Sequence, residues 1–273
     1  MEFNSQIVFL AEFQPSKILA PFISQYWEGS FNVDASRQMC LHLTPHGCLE
    51  IIVHLNDIHC DIYKDGKWGQ SPDYMVIGMF TQSHKVLFPS RVNAFAIRFK
   101  PDGFYHIFGV PPSLFLDAYE DMALVLDKKF REYSNRIREA KATETRVALS
   151  EEFLLHCLGN SRVIENYVNY AARMIRQDPC IRIPELAEKV HISQRQLERQ
   201  FKDRIGISPK HYLRLNRIQK AVQYLNMQGS TDLFSVAYSC GYFDQAHFIN
   251  DFKKVTGFNP SAFAKEENTR ISG

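Results

Sequence analysis

The sequence predicts an α+β chain of two domains, a strand-rich one over residues 1–160 and an all-helical one over residues 161–273. Three observations carry this. The apolar pattern changes period after Pro111-Pro112, from alternation to steps of three and four. The formal charge changes sign, since residues 1–160 hold 15 Lys+Arg against 19 Asp+Glu and residues 161–273 hold 17 against 11. The last third contains the same two-helix pattern twice, about fifty residues apart. With 273 residues, 45% hydrophobic and 23% charged, there is ample material for a folded core.

The elements follow in order. Ser16 as an N-cap, with Leu19, Phe22 and Tyr26 at helical spacing, suggests a short helix from Ser16 to Tyr26. Met39, Leu41 and Leu43 alternate with Cys40, His42 and Thr44; Pro45-His46-Gly47 then supplies turn chemistry and CLEIIVHL runs from Cys48 to Leu55, which predicts a hairpin. Further β-rich runs at Ile58 to Tyr63, Tyr74 to Thr81, His84 to Phe88 and Arg91 to Phe99, broken at Asp65-Gly66 and Pro89-Ser90, suggest a barrel or sandwich. Leu124, Leu126 and Phe130, then Val147, Leu149, Phe153, Leu154, Cys157 and Leu158, predict an antiparallel helix pair. Gly159-Asn160-Ser161, short, polar and coincident with the charge switch, is the expected boundary.

In the repeat, Leu186-Ala187 matches Val236-Ala237 and Val190 matches Cys240 at an offset of 50. After a one-residue slip, Leu197 matches Phe248, Phe201-Lys202 matches Phe252-Lys253, Gly206 matches Gly257, Pro209 matches Pro260 and Tyr212 matches Phe263. Each unit, about 181–206 and 231–257, reads as a short helix, a tight turn and a longer helix. Pro184 suits a first helical turn, Ser193, Asp232 and Asp244 suit N-caps, and Gly241 permits a turn. This is the pattern of a helix-turn-helix. Leu215, Ile218, Val222 and Leu225 mark one helix between the units, from Pro209 to Asn226 and ~27 Å long at 1.5 Å per residue. Such a strut can hold two recognition helices one turn of B-DNA apart.

These residues resemble the AraC/XylS family of bacterial transcription regulators over roughly residues 163–265, above all in YSCGYFDQAHFINDFKKVTGFNPSAF from Tyr238 through Phe263. The resemblance implies a seven-helix module that binds double-stranded promoter DNA, preceded by a domain that senses a small-molecule effector or mediates homodimerisation. It also implies an activator or other regulator that contacts RNA polymerase. The first half is similar to a partner domain of that family, a cupin-like β-barrel followed by helices, through LAPFISQYW from Leu19 to Trp27 and through the Pro45-His46-Gly47 turn. No coiled-coil heptad is evident over residues 127–158.

Mapping the family's base-facing positions gives Arg195, Glu198 and Arg199 in the first unit and Gln245, His247 and Asn250 in the second. Arg can fork onto guanine, Asn and Gln onto adenine, and Glu can accept from cytosine. The plainer alternative is that Arg195 and Glu198 are simply solvated helix residues, even an i,i+3 pair, and that Arg199 is bound in an intrahelical salt bridge. Some family members carry Arg where Asn250 stands. Ser193, Lys202, Lys210, Lys253 and Lys254 suit phosphates. Leu186, Ala187, Leu197, Phe201, Phe248, Phe252, Gly206 and Gly257 are read as core and turns.

Other chemistries find less support. His42, His46, Glu50, His54 and His59 are close in sequence, yet they form neither HxH nor a cupin metal motif, so no metal and no cofactor are expected. They nevertheless define the alternative, a metal-dependent cupin-like enzyme with an appended helical module; a protein-binding scaffold is a third reading. GxSxG, Walker and Rossmann patterns are lacking. The six cysteines, without a CxxC, read as buried thiols. Tyr26, Trp27, Phe95 and Phe99 are aromatic residues that can line or fill a barrel. Apolar runs of about half a dozen residues are far short of the ~20 a membrane helix needs, and Met1 to Leu10 does not read as a secretion signal, so a cytoplasmic location is expected.

Overall fold

A computed structural model describes residues 6–32, 39–89, 91–126, 128–159, 167–228 and 232–263. The strands form two antiparallel sheets. The larger runs β1 (Gln6–Phe13), β2 (Ile23–Asn32), β9 (Arg91–Phe99), β4 (Glu50–His54), β7 (Tyr74–Ile77) and β10 (Tyr119–Asp121). The smaller runs β3 (Met39–Leu43), β8 (His84–Phe88), β5 (Asp61–Lys64) and β6 (Lys67–Gln70). Among the described residues no strand of one sheet pairs with a strand of the other, so the barrel is not closed.

Alternation along the central strands organises the first half. Tyr26 on β2, Ile51 and Val53 on β4, Val76 on β7 and Phe95, Ile97 and Phe99 on β9 are buried in one core with the helices. Trp27, Ile52, Met75, Ile77, Ala94 and Ala96 face the other way, toward the smaller sheet. The helical layer is α1 (Gly103–Phe108), α2 (Met122–Val125), α3 (Lys128–Glu139) and α4 (Thr143–Leu158). Arg136 near Glu152 at 3.4 Å and the Arg146 Nε bond to the Ile137 carbonyl at 3.3 Å fix α3 and α4 as an antiparallel pair, as expected.

Three local expectations are corrected. No helix spans Ser16 to Tyr26: the chain makes turns, with the Ala20 amide on the Ser16 carbonyl at 2.8 Å and that of Ile23 on Leu19 at 2.9 Å, then enters β2. Pro21 has no amide to continue a helical ladder, and Ile23, Tyr26 and Trp27 pair with β9 instead. The predicted hairpin around Pro45-His46-Gly47 is also absent, because β3 pairs with β8 while β4 lies between β9 and β7. All five β4 residues are buried, which demands a central strand. A hairpin does form at Asp65-Gly66, whose φ values of 51° and 81° suit a type I′ turn joining β5 to β6. The thiols differ too: all six are free, but Cys40 and Cys180 are exposed while Cys60 and Cys240 are buried.

The helical part comprises α5 (Tyr167–Gln177), α6 (Ile183–Lys189), α7 (Gln194–Ile205), α8 (Pro209–Gln228), α9 (Leu233–Ser239) and α10 (Gln245–Thr256), with residues 260–263 also helical. The expected boundary at Asn160-Ser161 falls outside the described residues. The 20 residues of α8 span ~30 Å at 1.5 Å each. Arg214 on α8 pairs with Asp251 on α10 at 3.0 Å, Tyr212 packs its ring 6.1 Å from Phe201 on α7, and Arg217 donates to the Pro179 carbonyl at 2.7 Å. One helix therefore braces both units. No helix among the described residues is long and apolar enough to cross a membrane.

The two parts touch at several points. The Ser83 amide donates to the Val255 carbonyl at 2.7 Å, Gln219 to the Pro45 carbonyl at 3.3 Å, and Asn169 to Asp102 at 2.8 Å. The Arg204 guanidinium lies 5.2 Å from the centre of the Tyr105 ring. The helical turn Pro112–Phe115 packs against α7. Both longer helices of the repeat are thus anchored near their C-terminal ends.

Candidate nucleic-acid interface

The repeat is a repeat of hydrogen bonds as well as residues. The amides of Val190, His191 and Ile192 donate to the carbonyls of Leu186, Glu188 and Ala187; those of Cys240, Gly241 and Tyr242 donate to Val236, Tyr238 and Ala237, all between 3.0 and 3.2 Å. At equivalent turn positions His191 and Gly241 adopt φ of 56° and 77°. Glycine tolerates this left-handed backbone without strain, while the first unit places a histidine in it. A Cβ on Gly241 would also lie 2.3 Å from the Cys180 sulfur. The unit ends match as well: Gly206 and Gly257 take φ of 97° and 83°, and their amides donate to the carbonyls of Lys202 and Lys253.

Capping starts the longer helices where the sequence predicts. The Ser193 hydroxyl accepts from the Gln196 amide at 3.2 Å and the Asp244 carboxylate from the His247 amide at 2.7 Å, while Asp232 caps α9. Leu186, Ala187, Leu197, Phe201, Phe248 and Phe252 are fully or nearly fully buried, so each longer helix has its opposite face in solvent.

On that face the structure places Arg195, Glu198, Arg199, Gln245, His247 and Asn250, all exposed. Ser193, Arg195, Gln196, Glu198, Arg199 and Lys202 line one shallow groove. Among the described residues Arg195, Glu198 and Arg199 take part in no ion pair, so Arg199 lacks the intrahelical salt bridge of the plainer reading, while Arg195 and Glu198 are exposed as simply solvated helix residues also would be. His247 differs: its Nε2 lies 3.7 Å from Asp251, and its ring is edge-on to Tyr242 at 5.2 Å. Lys202, Lys210, Lys253 and Lys254 are exposed, as is Ser193. Lys254, however, lines a small cleft with Thr81, Gln82 and His211, on the side facing the first half of the chain.

Two exposed residues at the start of α10 were not anticipated. Ala246 is exposed, and the Phe243 side chain is 103% exposed just before the Asp244 cap. The turn of the second unit is one residue longer than that of the first, and the sequence signal for it was the one-residue slip in the repeat.

Of the strand-domain histidines, His54 and His59 meet edge-on with ring centroids 4.8 Å apart, and His42, His46 and His54 line the space between the sheets with Glu50. His54 Nε2 bonds the Ser71 hydroxyl at 2.9 Å, His59 Nε2 bonds Asp73 at 2.7 Å, and Glu50 is held by Arg98 and by Trp27 Nε1, the latter at 3.3 Å. No group of three His, Cys, Asp or Glu able to hold a metal occurs among the described residues. Of the aromatic residues noted in sequence, Trp27 faces the space between the sheets, while Tyr26, Phe95 and Phe99 pack under the helices.

Comparison with known proteins agrees with this geometry. Residues 186–266 match the family described as "Helix-turn-helix domain", and residues 11–121 match a "Domain of unknown function (DUF6597)". The chain is 30% identical over 122 residues, 44% of each protein, to the Msm operon regulatory protein of Streptococcus mutans. It is 37% identical over 82 residues, 30% of this chain and 28% of the relative, to the HTH-type transcriptional activator RhaR of Pectobacterium atrosepticum. The matches thus span less than half the length of these curated relatives, both named as regulators. An alignment to the structure of ToxT from Vibrio cholerae covers 88% of this chain and 98% of that one, at 7% identity and a TM-score of 0.49. Residues 186–266 thus carry a helix-turn-helix domain similar to those of proteins named as transcription regulators.

Proposed function

We propose that this protein is a sequence-specific DNA-binding regulator of transcription whose two helix-turn-helix units enter successive major grooves on one side of a promoter. The observation that carries the reading is the pair of equivalently capped helices, α7 and α10, buried by Leu197, Phe201, Phe248 and Phe252 and braced on α8 with polar N-terminal faces free. Arg195, Glu198, Arg199, Gln245, His247 and Asn250 read base edges; Ser193, Lys202, Lys210, Lys253 and Lys254 hold phosphates. The cleft position of Lys254 makes it the weakest member of the second set. The regulator works as a cytoplasmic homodimer and contacts RNA polymerase beside its site. Residues 1–160 act as its sensor and dimerisation domain, cupin-like in layout, and 161–273 as its DNA-binding domain of seven helices, the last starting at Pro260.

Titration of the full chain against its own upstream DNA at several salt concentrations tests this. About five phosphate contacts predict a log–log slope near −4 to −5. Binding that does not respond to salt, or no binding to any DNA, contradicts the proposal.

A cavity of about 390 Å³ between the two sheets supports the sensor reading. Its wall includes Phe258 and Phe263 from the helical part, and the Phe258 ring lies 5.1 Å from that of His42 on β3. Phe258 directly follows the Gly257 cap of α10, and the Ser83 amide bond to Val255 secures the same corner. A molecule in the cavity therefore touches the segment that ends the second recognition helix, which supplies a route from effector to DNA.

A further inference from the structure

Resting on the reading of the first half as a sensor, we propose that the cavity between the sheets takes an uncharged, largely apolar small molecule, anchored by hydrogen bonds to His84 and Tyr119. The wall is mostly hydrocarbon and aromatic, with Ile52, Ile62, Met75, Phe80, Phe88 and Val92 among its residues. The permanent charges on the described wall are Glu50 and Arg98, and they are already spent on each other: Arg98 Nε donates to Glu50, which also accepts from Trp27 Nε1. A ligand carboxylate or ammonium would lose its water without gaining a free counter-charge.

The polar capacity left over is neutral and concentrated at one place. Both ring nitrogens of His84 and the Tyr119 hydroxyl are shielded from solvent without a well-directed hydrogen bond, apart from an ill-aligned approach of the Gln82 backbone to His84. The two rings lie edge-on with centroids 5.3 Å apart, and the Phe80 ring packs against His84 at a tilt, 3.9 Å between centroids. Burial, with His46 nearby, lowers the His84 pKa to about 4, and burial raises that of Tyr119, so both stay neutral near pH 7. His46 is likewise lowered, and the Cys60 thiol is pushed up to about 12, both chiefly by burial. Buried polar atoms without partners are costly in a native protein, and a ligand hydroxyl or carbonyl that reached both groups from the cavity would satisfy them. His84 opens β8 of the smaller sheet and Tyr119 opens β10 of the larger, so such a molecule would bridge the sheets beneath Phe258 and Phe263.

Calorimetric titration of the full chain at about pH 7 with 2-naphthol, 2-naphthoate and 2-naphthylmethylammonium separates the classes by charge at nearly constant shape. The neutral alcohol should bind one to one and at least about tenfold tighter than either ion. His84→Phe with Tyr119→Phe should weaken the alcohol roughly fivefold or more; Tyr119→Phe alone, which removes one oxygen, should do so in part and serves if the double variant does not fold. Equal or tighter binding of either ion overturns the proposed class while leaving the sensor reading intact. Unchanged affinity of the alcohol in both variants overturns the anchor. Binding by none of the three overturns the cavity as a ligand site and the sensor reading with it.

Discussion

Arg199→Ala is expected to weaken binding to the preferred DNA site by about 1–3 kcal/mol, which is roughly 5- to 150-fold, and to relax base preference at one position. Arg199 lies in the second turn of α7 with no ion pair among the described residues, so its five donors are available to the guanine O6 and N7 edge. Lys253→Ala, in the last turn of α10, should instead lower affinity for every sequence alike and reduce the steepness of the salt dependence by about one. Competition binding with each base in turn distinguishes the two. A loss for Arg199→Ala that is the same on all sequences would remove it from the base-reading set.

Acid should begin to destabilise the strand domain before it protonates the average carboxylate, and His54 should account for ~2–3 kcal/mol of the loss once the pH reaches its native pKa. His54 is 1% exposed, and burial followed by the neighbouring His59 brings its pKa from 6.5 to about 4. The native state therefore favours the neutral ring. Above pH 6.5 neither state binds the proton and the stabilisation is whole; as pH falls from 6.5 toward 4, the unfolded chain takes up a proton that the native one refuses, and stability drops. Urea unfolding followed by tryptophan emission suits this measurement, because Trp27 and Trp68 both lie in the strand domain. His54→Gln should flatten the decline between pH 6.5 and 4.5. An identical decline in wild type and variant would locate the acid sensitivity elsewhere.

The helix-turn-helix units were legible in the sequence because everything that defines them is local. Apolar spacing, the Ser193, Asp232 and Asp244 caps, and Gly206 and Gly257 at the ends of the two longer helices all act within one or two turns, and each is found where it was expected. The strands were legible as strands, but not their partners. Pairing β3 with β8 rather than β4 joins residues distant in sequence, from Met39 with Phe88 to Leu43 with His84 at the two ends of the ladder, and no local pattern encodes that choice. The missed β2 shows the converse error: Leu19, Phe22 and Tyr26 have helical spacing by coincidence, the first two sitting in turns and Tyr26 on a strand, and Pro21 is the signal against a helix. His84 and Tyr119 escaped notice because they come from different sheets and meet only when the sheets face each other. Arg98, which neutralises Glu50 from the adjacent strand, was invisible for the same reason.

The most direct measurement is a dimethyl sulfate and hydroxyl-radical footprint of the full chain on its upstream DNA. Two protected patches about 10 base pairs apart on one face of the duplex are predicted, one including guanine N7 and lost with Arg195→Ala and Arg199→Ala, the other seen in the hydroxyl-radical pattern and lost with Gln245→Ala and Asn250→Ala. A single patch, or two on opposite faces of the helix, would contradict the account.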